Sequence, residues 1–217
     1  MIAALLNSFK IPELKKRILV ALALLAVYRL GCYIPTPGID GAALGELFRR
    51  ISSTEGGALF GIMNMFSGGA MSRMTIFALG IMPYISCSII MQLLTAVVPA
   101  FEKLAKEGKS GHQKITQYTR YGTVVLSVIQ SYFVALWVEG LGRTEGLPIV
   151  MMPGWSFRIV TILTLTTGTI FIMWLGEQIQ EHGIGNGISL VITAGIISRI
   201  PSAGYQLWVL FSPYSPS

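Results

Sequence analysis

Apolar runs of membrane-crossing length recur along this chain, and its charges are gathered between them. A helix needs about 20 apolar residues to cross the hydrocarbon core of a bilayer, and such runs are rare as core helices of soluble domains. Stretches at about residues 18–34, 76–98, 121–138 and 159–175 approach that length, and a shorter one follows at 188–200. Composition points the same way: 53% of the 217 residues are hydrophobic and only 12% are charged, against about 25% charged in soluble domains. No single water-soluble core hides that excess, so the expected fold class is an all-α polytopic membrane protein. The net charge of +6 does not argue for nucleic acid. Lys and Arg are not interleaved with aromatic platforms on any one segment, and they lie where topology signals lie.

The segments between the runs complete the expected layout. At the amino terminus LNSFKIPELKKR mixes apolar and basic residues, which suits a short interfacial helix over 5–16, or else a disordered leader. No small-residue cleavage site follows the first run, so it is expected to stay as the first span. Arg29, far along that span, either snorkels outward or pairs inside the bundle, and snorkelling is the expectation. PTPG (Pro35 to Gly38) ends the span, and residues 39–74 are too polar to cross. They are expected to form a long loop holding a stub of helix from Leu59 to Phe66. Pro83 inside the second run predicts a kink there, and Pro99 a stop. The basic stretch from Phe101 to Arg120 is expected to be a cytoplasmic loop, which by alternation puts the amino terminus in the cytoplasm too. Trp155 suits an interface, Leu165 a lipid-facing position on the fourth span. The fifth run starts after three glycines in five residues, 183–187, a pattern that at membrane depth lines a protein-enclosed cavity.

The arrangements an enzyme needs do not occur. There is no H-E-x-x-H, G-x-S-x-G or P-loop, and no pair of mid-span carboxylates. His112 and His182 read as solvated loop residues, and Cys32 and Cys87 as small packing residues without metal-ligand spacing. The expectation is therefore no enzyme, no metal and no cofactor. A solute transporter would ordinarily carry an Asp or Glu in mid-span for coupling. Ile81 and Ile85 stand four residues apart on one helical face, and Ile188 and Ile192 repeat the spacing. Such pairs make either an apolar constriction or ordinary packing contacts, and spacing alone leaves both open.

The stretches NMFSGGAMSRMTIFALGIMPYIS, KSGHQKITQYTRYGT and MWLGEQIQEHGIGNGIS, with YRLGCYIPTPGID before them, resemble the bacterial SecY family of protein-conducting channels. The resemblance covers nearly the whole chain, in order, but only the first of the family's two inverted five-helix halves. It implies five transmembrane helices plus a short re-entrant plug helix over 59–72, with Phe60, Met63, Asn64, Met65 and Phe66 in the plug and Gly68 and Gly69 as its hinge. Ile81, Ile85, Ile188 and Ile192 would supply half of a pore ring. Ser86, Ile89, Gln92, Thr119 and Gln130 would face a lateral gate. Lys103, Lys106, Lys109 and Lys114 would form a cytoplasmic contact loop. The implied setting is the bacterial plasma (inner) membrane. The implied partners are the second half of SecY, SecE, SecG, the SecA ATPase, the ribosome, secretory preproteins with their signal sequences, and membrane lipid. A different class stays open beside it: a small-solute transporter or scaffold built from one inverted repeat.

Overall fold

The computed structural model describes residues 11–52, 67–144 and 149–198, with residues 61, 64, 200, 201, 204, 205 and 208 besides. Part of the plug stretch, including Phe60, Met63, Met65 and Phe66, lies outside the described residues, as do residues 5–10 of the expected interfacial helix. The described helices are α1 (Pro12–Gly31), α2 (Gly41–Ser52), α3 (Met82–Val97), α4 (Pro99–Lys106), α5 (Lys109–Thr144), α6 (Trp155–His182) and α7 (Gly187–Ile197). There is no strand among the described residues, only isolated bridges between Pro35 and Thr75 and between Ile39 and Val150. By length and apolarity α5 (over Lys109–Leu141) and α6 can each cross a membrane, and α3 with α4 makes a third apolar pair bent by 97°.

Several boundaries differ from the sequence expectation, each for a local reason. Pro12–Lys16 is the first turn of α1 itself and not part of a separate helix, because Pro12 occupies a first-turn position where its missing N–H is no loss. Pro83 does not kink a helix. It stands in the first turn of α3, and residues 67–81 before it are turns. Pro99 likewise starts α4; Val98, held extended at φ −98° and ψ 116° by the proline after it, makes the bend. The basic stretch is helical, running through α4 and the start of α5. Gly108 at φ +75° turns the chain between them, and Gly111 lets α5 lie against the Leu104 carbonyl.

The helix α2 falls where a loop was expected. Asp40 caps it, its Oδ1 accepting from the amides of Ala42 at 2.9 Å and Ala43 at 3.2 Å. Leu44, Leu47 and Phe48 then face one way and are buried with Met74, Ala78, Ala135 and Val138 in one of two apolar clusters. Helices α5 and α6 pack through small hydroxyl residues. Thr119, Thr123, Ser127 and Ser131 of α5 recur every fourth residue and are all buried, as are Thr161, Thr166 and Thr169 of α6, and Ser131 meets Thr166 across the pair at 3.4 Å. Their hydroxyls are mostly spent on backbone carbonyls of their own helix, as Thr123 on Thr119 (2.7 Å) and Ser131 on Ser127 (2.6 Å). The side chains are therefore small and locally satisfied, and the backbones approach closely. Leu165 is fully buried in this packing, so it does not face lipid; Leu163, 62% exposed, does face outward.

The 67–81 turns are wedged between α1 and α6. A Cβ on Gly31 would overlap the Phe77 ring, and one on Gly168 would overlap the Ile76 carbonyl. The Phe77 ring stacks on Tyr28 at 5.9 Å and on Phe171 at 6.0 Å. Non-helical backbone so placed needs partners. Ile76 N–H donates to the Ile34 carbonyl (3.0 Å), Thr36 N–H to the Met74 carbonyl (2.9 Å), and Gly80 N–H to the Phe77 carbonyl (2.8 Å).

Gly168→Ala is therefore expected to destabilise the fold by about 1–3 kcal/mol, as overpacking does. Gly140→Ala, where a Cβ meets nothing within 4 Å, is expected to be neutral or stabilising by up to about 1 kcal/mol. Thermal unfolding in detergent distinguishes them, and equal midpoints for the two variants would contradict the wedge.

Candidate functional site

Pro83 fixes where α3 begins, and the turn before it delivers Ile81 to the same place. Ile81, 6% exposed, is the residue flanking α3 at its start, and Ile85 lies one turn on, its N–H donating to the Ile81 carbonyl at 3.1 Å. Both line an apolar cavity of about 330 Å³, together with Ile192 of α7, Ser86 of α3 and Gln130 of α5. Three of the four isoleucines singled out from the sequence thus meet two of the five gate residues in one space. Ser67, Met71 and Met74 of the turn close another wall.

The fourth isoleucine sits elsewhere. Ile188 packs its Cγ1 against Gly176 of α6, so it helps join α6 to α7 and does not line this cavity. Ile89, 52% exposed, and Gln92, also exposed, lie on an outer face of α3, the Gln92 amide within 3.5 Å of Ser88 Oγ. Thr119 is buried where α3 meets α5. Its carbonyl accepts from the Cys87 thiol at 3.2 Å, and Cys87 fits there because Gly122 has no side chain. Lys103, Lys106, Lys109 and Lys114 are all exposed; Lys106 pairs with Glu102 and Lys114 lies 3.7 Å from Glu107.

The glycine pair expected as a hinge has positive φ at both positions, +63° at Gly68 and +88° at Gly69, where a side chain would be strained. Gly68 is held from two sides. The Arg29 guanidinium donates to its carbonyl at 3.1 Å, and the backbone of Gly195 in α7 comes so near that a Cβ on Gly68 would lie 3.2 Å from the Gly195 Cα. Arg29 therefore does not snorkel outward. It pairs within the protein instead, bonding also to the exposed Tyr33 Oη at 2.9 Å. Asn64 reaches back from the plug stretch, its Oδ1 accepting from the Ser72 amide at 3.0 Å. Asn186, between Gly185 and Gly187, caps α7 by accepting from the amides of Ile188 (3.1 Å) and Ser189 (3.3 Å).

The sequence reading missed the α5 wall of the cavity, which is Phe133, Val134 and Trp137. A signal was available: from Gln130 these are residues i+3, i+4 and i+7, one helical face. Among the described residues no cluster of three or more His, Cys, Asp or Glu is placed to hold a metal ion.

The described helices enclose an apolar cavity, and solved structures share the fold. Over 97% of its length this chain resembles 42% of a chain described as the structure of a protein conducting channel, with a TM-score of 0.57 at 17% identity. Sec61 in the canine ribosome-channel complex from the endoplasmic reticulum gives the same TM-score over 97% of this chain and 43% of that one, also at 17% identity. Sequence relatives narrow the class. The SecY family profile matches residues 75–214. The protein translocase subunit SecY of Buchnera aphidicola subsp. Acyrthosiphon kondoi is 52% identical over 191 residues, 88% of this chain and 52% of the relative. The Escherichia coli K12 subunit has the same identity over 88% of this chain and 42% of its own, and that of Aquifex aeolicus is 44% identical over 92% and 46%. The chain belongs to the SecY family. It spans about half the length of these relatives and matches their amino-terminal half.

Burial separates Ile81, which flanks α3, from Ile85 within it. Ile81→Ala, at a fully enclosed position, is expected to cost about 2–4 kcal/mol of stability, whereas Ile85→Ala, half-buried against the cavity, is expected to cost under about 1.5. Thermal unfolding of the two variants in detergent checks this, and the reverse order would mean that Ile85 is the packed residue and Ile81 the lining one.

Proposed function

We propose that this chain supplies the amino-terminal half of a membrane channel that passes unfolded secretory polypeptides across the bacterial plasma membrane and releases membrane segments sideways into lipid. The carrying observation is the shared cavity: Ile81, Ile85 and Ile192 line one apolar space with Ser86 and Gln130. β-Branched side chains are stiff at χ1, so such a ring fits closely around a passing chain yet offers it no directional bond. That suits a conduit indifferent to sequence. Ile188 completes the ring only if α7 turns relative to α6, since it now packs on Gly176.

In this reading the chain crosses the membrane five times, with its amino terminus in the cytoplasm. Residues 59–72 form the plug, and Gly68 and Gly69 are the hinge on which it leaves. Ser86 and Gln130 face the lateral gate from within, Ile89 and Gln92 face it from the lipid side, and Thr119 anchors α5 to α3 behind them. The second half of the channel closes the pore. SecE and SecG brace the assembly, and SecA or a ribosome delivers preproteins near Lys103, Lys106, Lys109 and Lys114. The work is then done by the partners and the membrane potential, not by chemistry on this chain. Membership of the SecY family argues against the solute-transporter alternative.

A photo-crosslinker at Ile85, in this half assembled with the second half and SecE, is expected to capture a secretory chain stalled in transit. One at Leu163, 62% exposed on the outer face of α6, is expected to capture lipid and not the stalled chain. Capture at Leu163 with none at Ile85 would place the pathway outside the proposed ring.

A further inference from the structure

Two arginines converge on a single aromatic ring beyond the end of α1. The Arg29 Cζ stands 4.9 Å and the Arg73 Cζ 5.2 Å from the centroid of Tyr33. Arg50, Arg120 and Arg158 each pair with a glutamate, Glu46, Glu177 and Glu139 respectively. Neither Arg29 nor Arg73 has an ion-pair partner among the described residues. Arg29 directs two of its donors to the Gly68 carbonyl and Tyr33 Oη; a guanidinium carries five. The Arg73 side chain donates to no described protein group. Both line a polar cavity of about 320 Å³ with Tyr33, Ser72, Ser198 and the Gly68–Gly69 turn.

Like charges held on one ring repel each other, and among the described residues the fold supplies nothing negative between them except the carbonyl end of α1, whose last turn holds Arg29. Planar guanidinium forks match the oxygen geometry of a phosphate and bind it with two parallel hydrogen bonds. The cavity also lies at a revealing level. α1 has ended, and the nearby exposed aromatic residues Tyr33 (54%) and Trp155 (70%), brought to one end by the Ile39–Val150 bridge, are those of a membrane–water boundary. Phosphodiesters of phospholipids are concentrated at that depth.

We infer that the cavity between Arg29, Arg73 and Ser198 is a binding site for one phosphate-class oxyanion, drawn from a phospholipid headgroup or from free phosphate. An occupant bridges three segments: the end of α1, the 67–73 turn and the end of α7. It neutralises the pair of guanidinium groups, one of which holds the Gly68 carbonyl. The site is distinct from the apolar cavity, with which it shares no lining residue.

The test uses the full-length channel assembly, delipidated in neutral detergent. Phosphatidylglycerol retention is counted by native mass spectrometry, and thermal unfolding is followed with inorganic phosphate against chloride at equal ionic strength. One tightly retained phosphatidylglycerol per channel, or a phosphate-dependent rise of a few degrees in the midpoint, is expected, and which of the two occurs identifies the source. Arg73→Gln alters an exposed side chain; it is expected to reduce retention or the phosphate affinity at least tenfold while leaving the midpoint without added anion unchanged. No retention together with no phosphate-dependent rise overturns the inference. Unchanged binding in Arg73→Gln overturns it also, as does a photo-crosslinker at position 73 that captures an acidic segment of the channel's remaining sequence in protein that binds neither probe.

Discussion

Everything about the cavity depends on one steric fit, the seating of the 76–77 turn against two glycines. Gly31 of α1 and Gly168 of α6 leave room where any side chain would strike the Phe77 ring or the Ile76 carbonyl. Phe77 then fills the gap and stacks on Tyr28 and Phe171, one from each helix. Lipid tails are as apolar as the side chains they would replace, so burial from water is a weak drive between membrane helices and close packing carries more of the association. Glycine contacts are where such packing is densest.

That fit determines how deep α3 begins. With the turn clasped between α1 and α6, the chain has a single exit, through Gly80 at φ +57° and Ile81 into Pro83. Proline accepts the first helical turn because its absent N–H is not missed there. The helix that follows is 16 residues long and stops at Val98. Its first turn presents Ile81 and Ile85 to the cavity, while its middle packs on α5 through Cys87, Gly122 and Thr119. Ile85 and Ser86, which both line the cavity, therefore share one rigid element with Cys87. They cannot be moved independently without unseating Cys87.

The sequence carried the class of the fold and several residues that line the apolar cavity, and its failures have local physical causes. Apolar run length found α5 and α6 because each is a continuous helix whose composition alone reports it. The same measure merged the 76–81 turn with α3, since a clasped turn is as apolar as a span and only Pro83 marks the join. It also read Gly41–Ser52 as a loop. Run length cannot see an amphipathic helix, although Asp40 as cap and Leu44, Leu47 and Phe48 as a face were present to be read. Arg29 was misjudged because snorkelling is a property of one helix, whereas its acceptor, the Gly68 carbonyl, comes from a turn 39 residues away. Ile81, Ile85 and Ile192 line one cavity, while Ile188 packs on Gly176. Four-residue spacing names a face of a helix and not what that face meets.

The right-angled joint at Val98 has a mechanical meaning. Because α4 leaves α3 at 97°, it acts on α3 as a crank acts on a shaft. Eight residues of helix make an arm about 12 Å long at 1.5 Å per residue. A sideways push at the tip of that arm, where Lys103 and Lys106 are exposed, turns α3 about its long axis and does not draw it along that axis. Turning exchanges one stripe of side chains for the next, Ser86 for Ile89 or Ile90. A rotation of that kind would change which side chains face the cavity while leaving every backbone hydrogen bond of the helix intact.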